Sequence, residues 1–374
     1  MTASAVSAPA YSVAAPASLA RVVPRWVRVW LWTMAGLVIL MVVVGGATRL
    51  TGSGLSITQW RPIAGALPPL SQTDWVAEFS KYQESSQAQL LNAGMSLARF
   101  KHIFWWEWSH RQLGRFIGLV FAGGFLVGLL TRQLSWRVGA ALAGMGALLG
   151  FQGVIGWVMV ASGLKAGMTA VEPVDLAAHL LFASLFLMTL VALATSLGQN
   201  EARSARAVPP RHAAQVCGLL LLFVLAQLVL GALVAGSHAG LLYNTWPDMD
   251  GRLVPPLAEL FSASPWWTNP LENVTLIQFD HRMLAYAVLA LALVNAALWG
   301  RARLPLILAG LVAAQAALGI ATLVNRVPLG LALAHQLLAM FVLVLATRLW
   351  VLSRGAGDAL GEVAGPLAAR VATR

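Results

Sequence analysis

Cysteine is almost missing from this chain of 374 residues, since Cys217 is the only one. No disulfide can therefore form within the chain. Charged residues are scarce as well, at 10% of the sequence. Because soluble domains carry about 25% charged residues, this chain cannot cover itself with polar surface. The composition excludes a soluble globular protein.

Hydrophobic residues make up 59% of the sequence, and the mean hydropathy is +0.74. A helix that crosses the hydrocarbon core of a bilayer needs about 20 consecutive apolar residues. Eight runs of this kind are present, at 27–47, 112–131, 138–160, 176–197, 214–235, 283–299, 304–324 and 329–351. The sequence therefore predicts an all-α polytopic protein of the lipid bilayer with eight transmembrane helices.

The formal net charge of +11 would suit a nucleic-acid partner, but the positions of the charges argue against one. Arginines cluster in alternate connections between the apolar runs, near residues 21–28, 132–137, 203–211, 301–303 and 348–354. Most acids lie in the other connections. This is the positive-inside pattern of membrane proteins. It predicts no nucleic-acid partner and places both termini in the cytoplasm.

The first 25 residues contain no acid and lack both the early positive charge and the cleavage site of a secretory signal peptide. We expect residues 1–25 to be a disordered cytoplasmic tail, with an organellar transit peptide as the alternative. Residues 355–374 are expected to form a second cytoplasmic tail. Together with the charge pattern, this predicts a multi-pass protein of the bacterial inner membrane.

The sequence repeats itself, with VVVGGATRLTGSGLSITQWRPIAGALPPL (42–70) resembling VLGALVAGSHAGLLYNTWPDMDGRLVPPL (229–257). EWSHRQLGR similarly parallels FDHRMLAY, and LAAHLLFASL parallels LALAHQLLAM. An even number of helices per half makes the two halves parallel repeats, related by an axis along the membrane normal. We expect an N-terminal four-helix half (26–197), a cytoplasmic linker (198–213) and a C-terminal four-helix half (214–354).

The outer connection at 49–105 is too long for a simple turn. Trp75, Phe79 and Tyr82 have the spacing of one helical face within it. This spacing predicts a short helix on the outer membrane surface.

Four histidines stand at or near the start of the even-numbered helices, namely His110, His179, His281 and His335. The predicted topology places them all near the outer face at similar depth. An ionisable residue in the membrane indicates function, although a single histidine could equally hydrogen-bond a neighbouring helix. Neutral imidazole binds iron, and haem needs only axial imidazoles in an apolar slot. The repeat pairs His110 with His179 and His281 with His335, which predicts two bis-imidazole haem sites.

Arginines accompany these histidines at the rim of the predicted sites. Arg111 and Arg282 directly follow His110 and His281, and Arg115 lies one turn below Arg111. Guanidinium binds carboxylate through two hydrogen bonds. We expect Arg111 and Arg282 to bind haem propionates, with snorkelling toward the lipid headgroups as the alternative for each.

The two halves differ by one ionisable group. Glu107 stands three residues before His110, whereas Gln278 occupies the equivalent position before His281. A proton can therefore be exchanged at the first site and not by this means at the second. This difference assigns chemistry to the first half, with a hydrated carboxylate of no special role as the alternative.

The sequence resembles the haem A synthase family over residues 25 to 355. The motifs that carry the resemblance are GGATRLTGSGLSITQWRPIAGALPP, EWSHRQLGR, YNTWPDMDG, FDHRMLAY and AHQLLA. The resemblance implies an oxidoreductase that converts a ring methyl of haem O to the formyl group of haem A. It implies a haem b cofactor, with its iron at His281 and His335, and substrate haem O at His110 and His179. It also implies that Glu107 is catalytic.

The resemblance leaves several points open. Some members carry cysteine pairs in the outer loops, and this chain has none. A haem with two imidazole ligands has no open position for oxygen, so either a histidine leaves during turnover or the cofactor only relays electrons. A haem O synthase and an electron donor are the expected partners, and the oligomeric state is open. The rival interpretation is a di-haem b-type cytochrome in quinol electron transfer, while a transporter is disfavoured because the polar residues gather at one surface.

Overall fold

The computed structural model describes residues 23–198, 210 and 212–354. Eight of its helices are long and apolar enough to cross a membrane, which confirms the predicted fold class. They are α1 (Arg25–Leu50), α2 (Leu97–Leu130), α3 (Trp136–Gly163), α4 (Pro173–Leu197), α5 (Ala213–Gly236), α6 (Val274–Leu298), α7 (Arg303–Val324) and α8 (Leu329–Arg354). Residues 1–22 of the predicted N-terminal tail, the whole C-terminal tail and most of the predicted linker lie outside the described residues, and Arg25 already belongs to α1.

Short elements fill the connections on one side of these helices. They are the α-helices Gln72–Gln83, Ser86–Leu90, Leu257–Leu260 and Asn269–Glu272, and the 3-10 helices Ala64–Ala66, Ala239–Leu241 and Trp266–Thr268. Local sequence explains several helix starts. The side chains of Ser96, Ser135 and Asn273 accept backbone N–H bonds at the first turns of α2, α3 and α6, which satisfies donors that would otherwise be orphaned.

The eight helices form two rings of four. Helix α1 contacts α2, α2 contacts α3, α3 contacts α4, and α4 returns to α1. Helices α5 to α8 contact one another in the same cyclic order. In each ring the first and third helices, and likewise the second and fourth, therefore face each other diagonally. This arrangement fits the predicted four-helix halves; their origin as a repeat stays a prediction.

The two rings pack together through α1, α4, α5 and α8, with contacts between α4 and α5, α1 and α8, and α4 and α8. Apolar side chains such as Leu31, Leu187 and Leu343 are fully buried in this shared core. Large apolar side chains on the outside of the rings are exposed, for example Leu119 at 72%. Such a surface is stable in lipid, where no apolar group has to be withdrawn from water.

The outer end of α2 differs from the expectation. The predicted apolar run begins at residue 112, but the helix already begins at Leu97 and so extends beyond the apolar run. A helix at Gln72–Gln83 is present as predicted. Its aromatic face does not lie free for a membrane surface, because Trp75 and Tyr82 are buried against α2, with the ring of Trp75 4.9 Å from that of Phe104. The extension of α2 supplies an apolar partner that the sequence pattern does not reveal.

Candidate functional site

The four predicted histidines occupy equivalent places in the two rings. Each lies on an even-numbered helix and is half-buried, and each imidazole contacts a glycine in the last two turns of the preceding helix. The contacts pair His110 with Gly45, His179 with Gly156, His281 with Gly231 and His335 with Gly319. An alanine Cβ at these glycines would approach the rings to 3.0, 2.8, 3.2 and 2.8 Å respectively. The glycines therefore admit the imidazoles against the helix backbone.

The imidazoles converge in pairs within each half. Helices α2 and α4 are diagonal in their ring, and the side chains of His110 and His179 lie within electrostatic range of each other. His281 and His335 have the same relation across the second ring. A diagonal pair of imidazoles faces the interior of a four-helix bundle from two sides. The structure thus brings together the residues that the repeat pairs.

Three glutamines that the sequence reasoning missed hold three of these histidines. Gln152, Gln227 and Gln315 stand four residues before the contacting glycines of α3, α5 and α7. The Nε2 atom of each donates to the backbone carbonyl of the neighbouring histidine, at 2.9, 3.0 and 3.0 Å. The same Nε2 atoms lie 3.1 Å from Nδ1 of His179 and His281, and 3.4 Å from Nε2 of His335. The repeated Gln-x-x-x-Gly spacing was the available signal.

Unpartnered polar atoms gather at these contacts. The Oε1 atoms of Gln152, Gln227 and Gln315, and Nδ1 of His335, are buried without a hydrogen-bond partner among the described residues. Native proteins rarely leave buried polar atoms unpaired, so such atoms mark sites that bind or rearrange. Within the described part of the chain, no three His, Cys, Asp or Glu side chains cluster to hold a bare metal ion. Two imidazoles, small glycines and apolar walls fit haem better than zinc.

Glu107 is buried rather than hydrated, with 3% of its surface exposed. One carboxylate oxygen accepts hydrogen bonds from the Ser56 hydroxyl (2.7 Å) and the Ile57 N–H (2.8 Å), and the other accepts from Arg111 (2.5 Å). Three donors, one of them cationic, stabilise the ionised carboxylate. Glu107 thus ties the start of the outer loop to α2, one turn above His110.

The equivalent residues of the second half make a different arrangement. Gln278 is also buried, but its Nε2 donates to the carbonyls of Ala239 (2.9 Å) and Tyr243 (3.2 Å). Arg282, one turn later, donates to three loop carbonyls, those of Tyr243, Thr245 and Asp248. Gln278 and Arg282 therefore serve only as donors to the loop above them. The anionic acceptor of the first half has no counterpart at Gln278.

The arginines at the rim hydrogen-bond mainly to backbone carbonyls of the loops. Besides Glu107, Arg111 donates to the carbonyls of Ile57 (2.8 Å) and Gln59 (3.4 Å), while Arg115 donates to the carbonyl of Pro62 (3.0 Å). The Nε atom of Arg282 is buried without a partner among the described residues. Propionate binding by Arg111 and Arg282 stays a prediction, with loop anchoring as a second role for both.

A different arginine stands free at the rim. Arg49, at the outer end of α1, donates to no acceptor among the residues that the structure describes. It lies near His238, just beyond α5, where burial and then the charge of Arg49 lower the pKa of the imidazole. This pair of basic side chains has no acidic partner within the described part of the chain. Sequence reasoning missed Arg49 because it reads as an ordinary helix-end arginine.

The two halves are linked next to their histidines. Gln336 follows His335 on α8, and its Nε2 donates to the carbonyl of Val42 on α1 (2.8 Å). A Cβ at Gly46 would collide with the amide of Gln336, whereas Gly45, one residue earlier, receives His110. Adjacent glycines of α1 therefore admit one side chain from each half.

These features define a polytopic helical membrane protein with a pair of histidines on the diagonal helices of each ring. Residues 28–347 match the family described as cytochrome oxidase assembly protein. The chain is 54% identical over 340 residues to haem A synthase of Methylobacterium radiotolerans, which covers 88% of this chain and 91% of the relative. It is 46% identical over 339 residues to haem A synthase of Brucella ovis, with coverages of 89% and 93%. The chain belongs to the haem A synthase family.

Proposed function

We propose that this protein oxidises a ring methyl of haem O to a formyl group and so produces haem A. The name of the relatives, which match nearly the whole chain, supports this activity. The observation that carries the proposal is the convergence of two diagonal imidazoles in each ring, flanked by glycines and buried amides. A macrocycle with a central iron fits such a site, and two sites suit one substrate and one cofactor.

The first half is the proposed substrate site. His110 and His179 would hold the iron of haem O, because Glu107, the acid that distinguishes the halves, lies one turn above His110. The second half is the proposed cofactor site, with His281 and His335 as ligands of haem b and Arg282 at its rim. Arg49 beside His238 is a further candidate for binding a propionate. When bound, haem b would supply one-electron transfer.

The protein residues would act by binding, orienting and moving protons. Two successive hydroxylations of the methyl, each consuming one O2, two electrons from the donor and two protons and releasing one water, would give a geminal diol, which loses water to form the formyl group. Histidines held on two opposite helices fix the plane of the substrate, and the buried carboxylate of Glu107, bonded to the Ser56 hydroxyl, can pass a proton to or from the outer side. The same carboxylate holds the loop over the site through Ile57 and Arg111.

The proposed location is the bacterial inner membrane, with both termini in the cytoplasm. The eight helices and the family make this a multi-pass membrane protein. The arginine clusters support the orientation, since the basic connections lie on the side of the termini. A haem O synthase would supply the substrate, and an unidentified donor would supply electrons.

Co-expression with a source of haem O, followed by chromatography of the extracted haems, tests the proposed function. We expect haem A together with haem B. The variants H110A and H179A should abolish haem A while haem B stays bound, and H281A should lose haem B. His212 is exposed outside the rings, so H212A is the matched control and should behave as the natural chain. Haem B alone in the natural chain would instead support a di-haem cytochrome.

A further inference from the structure

His110 lacks the glutamine that contacts each of the other three histidines. The residue four positions before Gly45 is Met41, where α3, α5 and α7 carry Gln152, Gln227 and Gln315. We propose that the glutamines are positioning residues that lock His179, His281 and His335, and that Met41 leaves His110 as the one ligand able to move away. This inference rests on the proposed function, since it takes His110 and His179 as the ligands of the substrate iron.

The glutamines hold both the backbone and the ring of their histidines. Each amide donates to the histidine carbonyl, so its Nε2 is fixed beside the ring, as at Gln227 and His281, 3.1 Å from Nδ1. The amide oxygen on the same side chain is buried and unpartnered. An imidazole that binds iron through Nε2 carries its hydrogen on Nδ1 and needs an acceptor there. A glutamine amide whose nitrogen and oxygen exchange places would offer Oε1 to that N–H, in place of its bond to the histidine carbonyl.

Met41 occupies the corresponding place without offering these bonds. Its Cε lies 3.1 Å from where a Cβ would stand at Gly114, one turn after His110 on α2. The equivalent positions after the other three histidines are Ala183, Ala285 and Ala339, so Gly114 is the substitution that makes room for the thioether. Among the described residues, the ring nitrogens of His110 have no hydrogen-bond partner.

The loss of one partner has a direct consequence for ligand binding. A histidine whose Nδ1–H is bonded is oriented and is a stronger base toward a metal, and loss of such a partner costs roughly 10–100-fold in affinity or activity. His110 therefore binds most weakly and rotates most freely of the four. If haem iron were bound between His110 and His179, His110 would be the ligand that leaves, in the half that carries Glu107. In the other half the glutamines would keep both His281 and His335 in place.

Carbon monoxide binding to the dithionite-reduced, haem-loaded protein tests this inference without using the oxidation reaction. We expect the natural chain to show one species that binds CO. Its spectrum should match that of the five-coordinate haem in H110A, and this match would identify it as the haem of the first half. M41Q should slow CO binding to that species by about 10-fold or more, whereas M41L, which changes packing without adding an amide, should leave the rate near that of the natural chain.

The converse variants protect the test against a failure of M41Q to fold. Q227M and Q315M copy the methionine into the second half and should each create a second CO-reactive species. An unchanged rate in M41Q, equal slowing in M41L, or no new species in the two converse variants would overturn the inference. Extraction of the haems separates this result from the proposed function: haem B alone refutes the synthase activity, while the CO rates still report on His110.

Discussion

Glu107 and Gln278 occupy equivalent positions and yet have opposite hydrogen-bonding roles. Glu107 accepts three hydrogen bonds, from Ser56, Ile57 and Arg111. Gln278 donates two, to backbone carbonyls of its own outer loop. Each side chain is matched to the loop above it, so exchanging them should harm both halves. The loop above the proposed substrate site is thus held by an acid and the other by an amide.

Replacing Glu107 by glutamine tests the role of the acid in the first half. In E107Q the side chain can still accept from Ser56 and Ile57, but Arg111 loses its counter-ion and keeps only two carbonyl acceptors. We expect a loss of about 1–3 kcal/mol in the free energy of unfolding and a fall of at least about 10-fold in haem A formation. Thermal unfolding in detergent and chromatography of extracted haems measure the two effects. Undiminished haem A formation would remove Glu107 from the chemistry.

The reciprocal variant Q278E is expected to be destabilising for a different reason. A carboxylate cannot donate to the carbonyls of Ala239 and Tyr243, and its charge would repel them. The unfolding temperature should fall, and haem B should be retained less well than in the natural chain. A stable Q278E protein with full haem content would show that Arg282 can accept a carboxylate partner here as Arg111 does.

At this scale the sequence revealed positions better than contacts. The i,i+4 spacing of Glu107 and Arg111 is visible in the motif EWSHR, but the position of Arg111 beside His110 at the rim predicts a propionate as its partner instead. Ser56 and Ile57 lie about fifty residues away in sequence, so no local pattern could place their donors on Glu107. The burial of this acid follows from tertiary structure.

The even-numbered helices carry the histidines, and the odd-numbered helices carry the glycines that contact them. Each contact joins a histidine of an even-numbered helix to a glycine near the end of the preceding helix. A glycine within a helix normally costs about 1 kcal/mol relative to alanine. Here the missing Cβ is what lets the imidazole lie against the backbone. These glycines therefore serve the site rather than the helix.

Alanine substitutions on α3 and α7 separate the effect of a methyl group on the histidine from its effect on the stability of the helix. G156A and G319A should push His179 and His335 aside, because the new Cβ would lie 2.8 Å from the ring, and we expect at least about 10-fold weaker haem retention. G153A and G310A add the same methyl to the same helices where nothing lies within 4 Å. Those controls should retain haem normally and be as stable as the natural chain or more so.

Haem content per protein, from the pyridine haemochrome spectrum, is the measurement for these four variants. Equal loss in the variants and their controls would mean that the methyl acts on the helix and not on the histidine. The length of the apolar runs predicted the eight helices well, since a helix that crosses lipid needs about 20 apolar residues. It could not show the glycine contacts, because small residues in a membrane helix also serve ordinary helix packing.

The whole molecule is two rings of four helices joined through α1, α4, α5 and α8. The repeated motifs predicted two such groups of helices, and the charge pattern predicted their orientation. Neither could predict which helices meet at the interface, since all eight are apolar on most sides. That choice depends on side-chain packing, as in the buried cluster around Leu31, Leu187 and Leu343.

Reporter fusions test the predicted orientation of the full chain. A fluorescent protein that folds only in the cytoplasm should fluoresce at either terminus. Alkaline phosphatase, which needs the outer side for its disulfides, should be active when inserted in the exposed turn near Gly94 and inactive in the turn near Arg132. The reverse pattern would place the histidines at the cytoplasmic face and contradict the positive-inside assignment.

The neighbouring glycines of α1 impose a condition on hybrid proteins. Gly45 receives His110 of its own half, and Gly46 receives Gln336 of the other. A chimera that joins the front half of one homologue to the back half of another must therefore match at this dipeptide. A methyl group on Gly46 would displace the Gln336 amide from the carbonyl of Val42, so α1 and α8 should be exchanged as a unit.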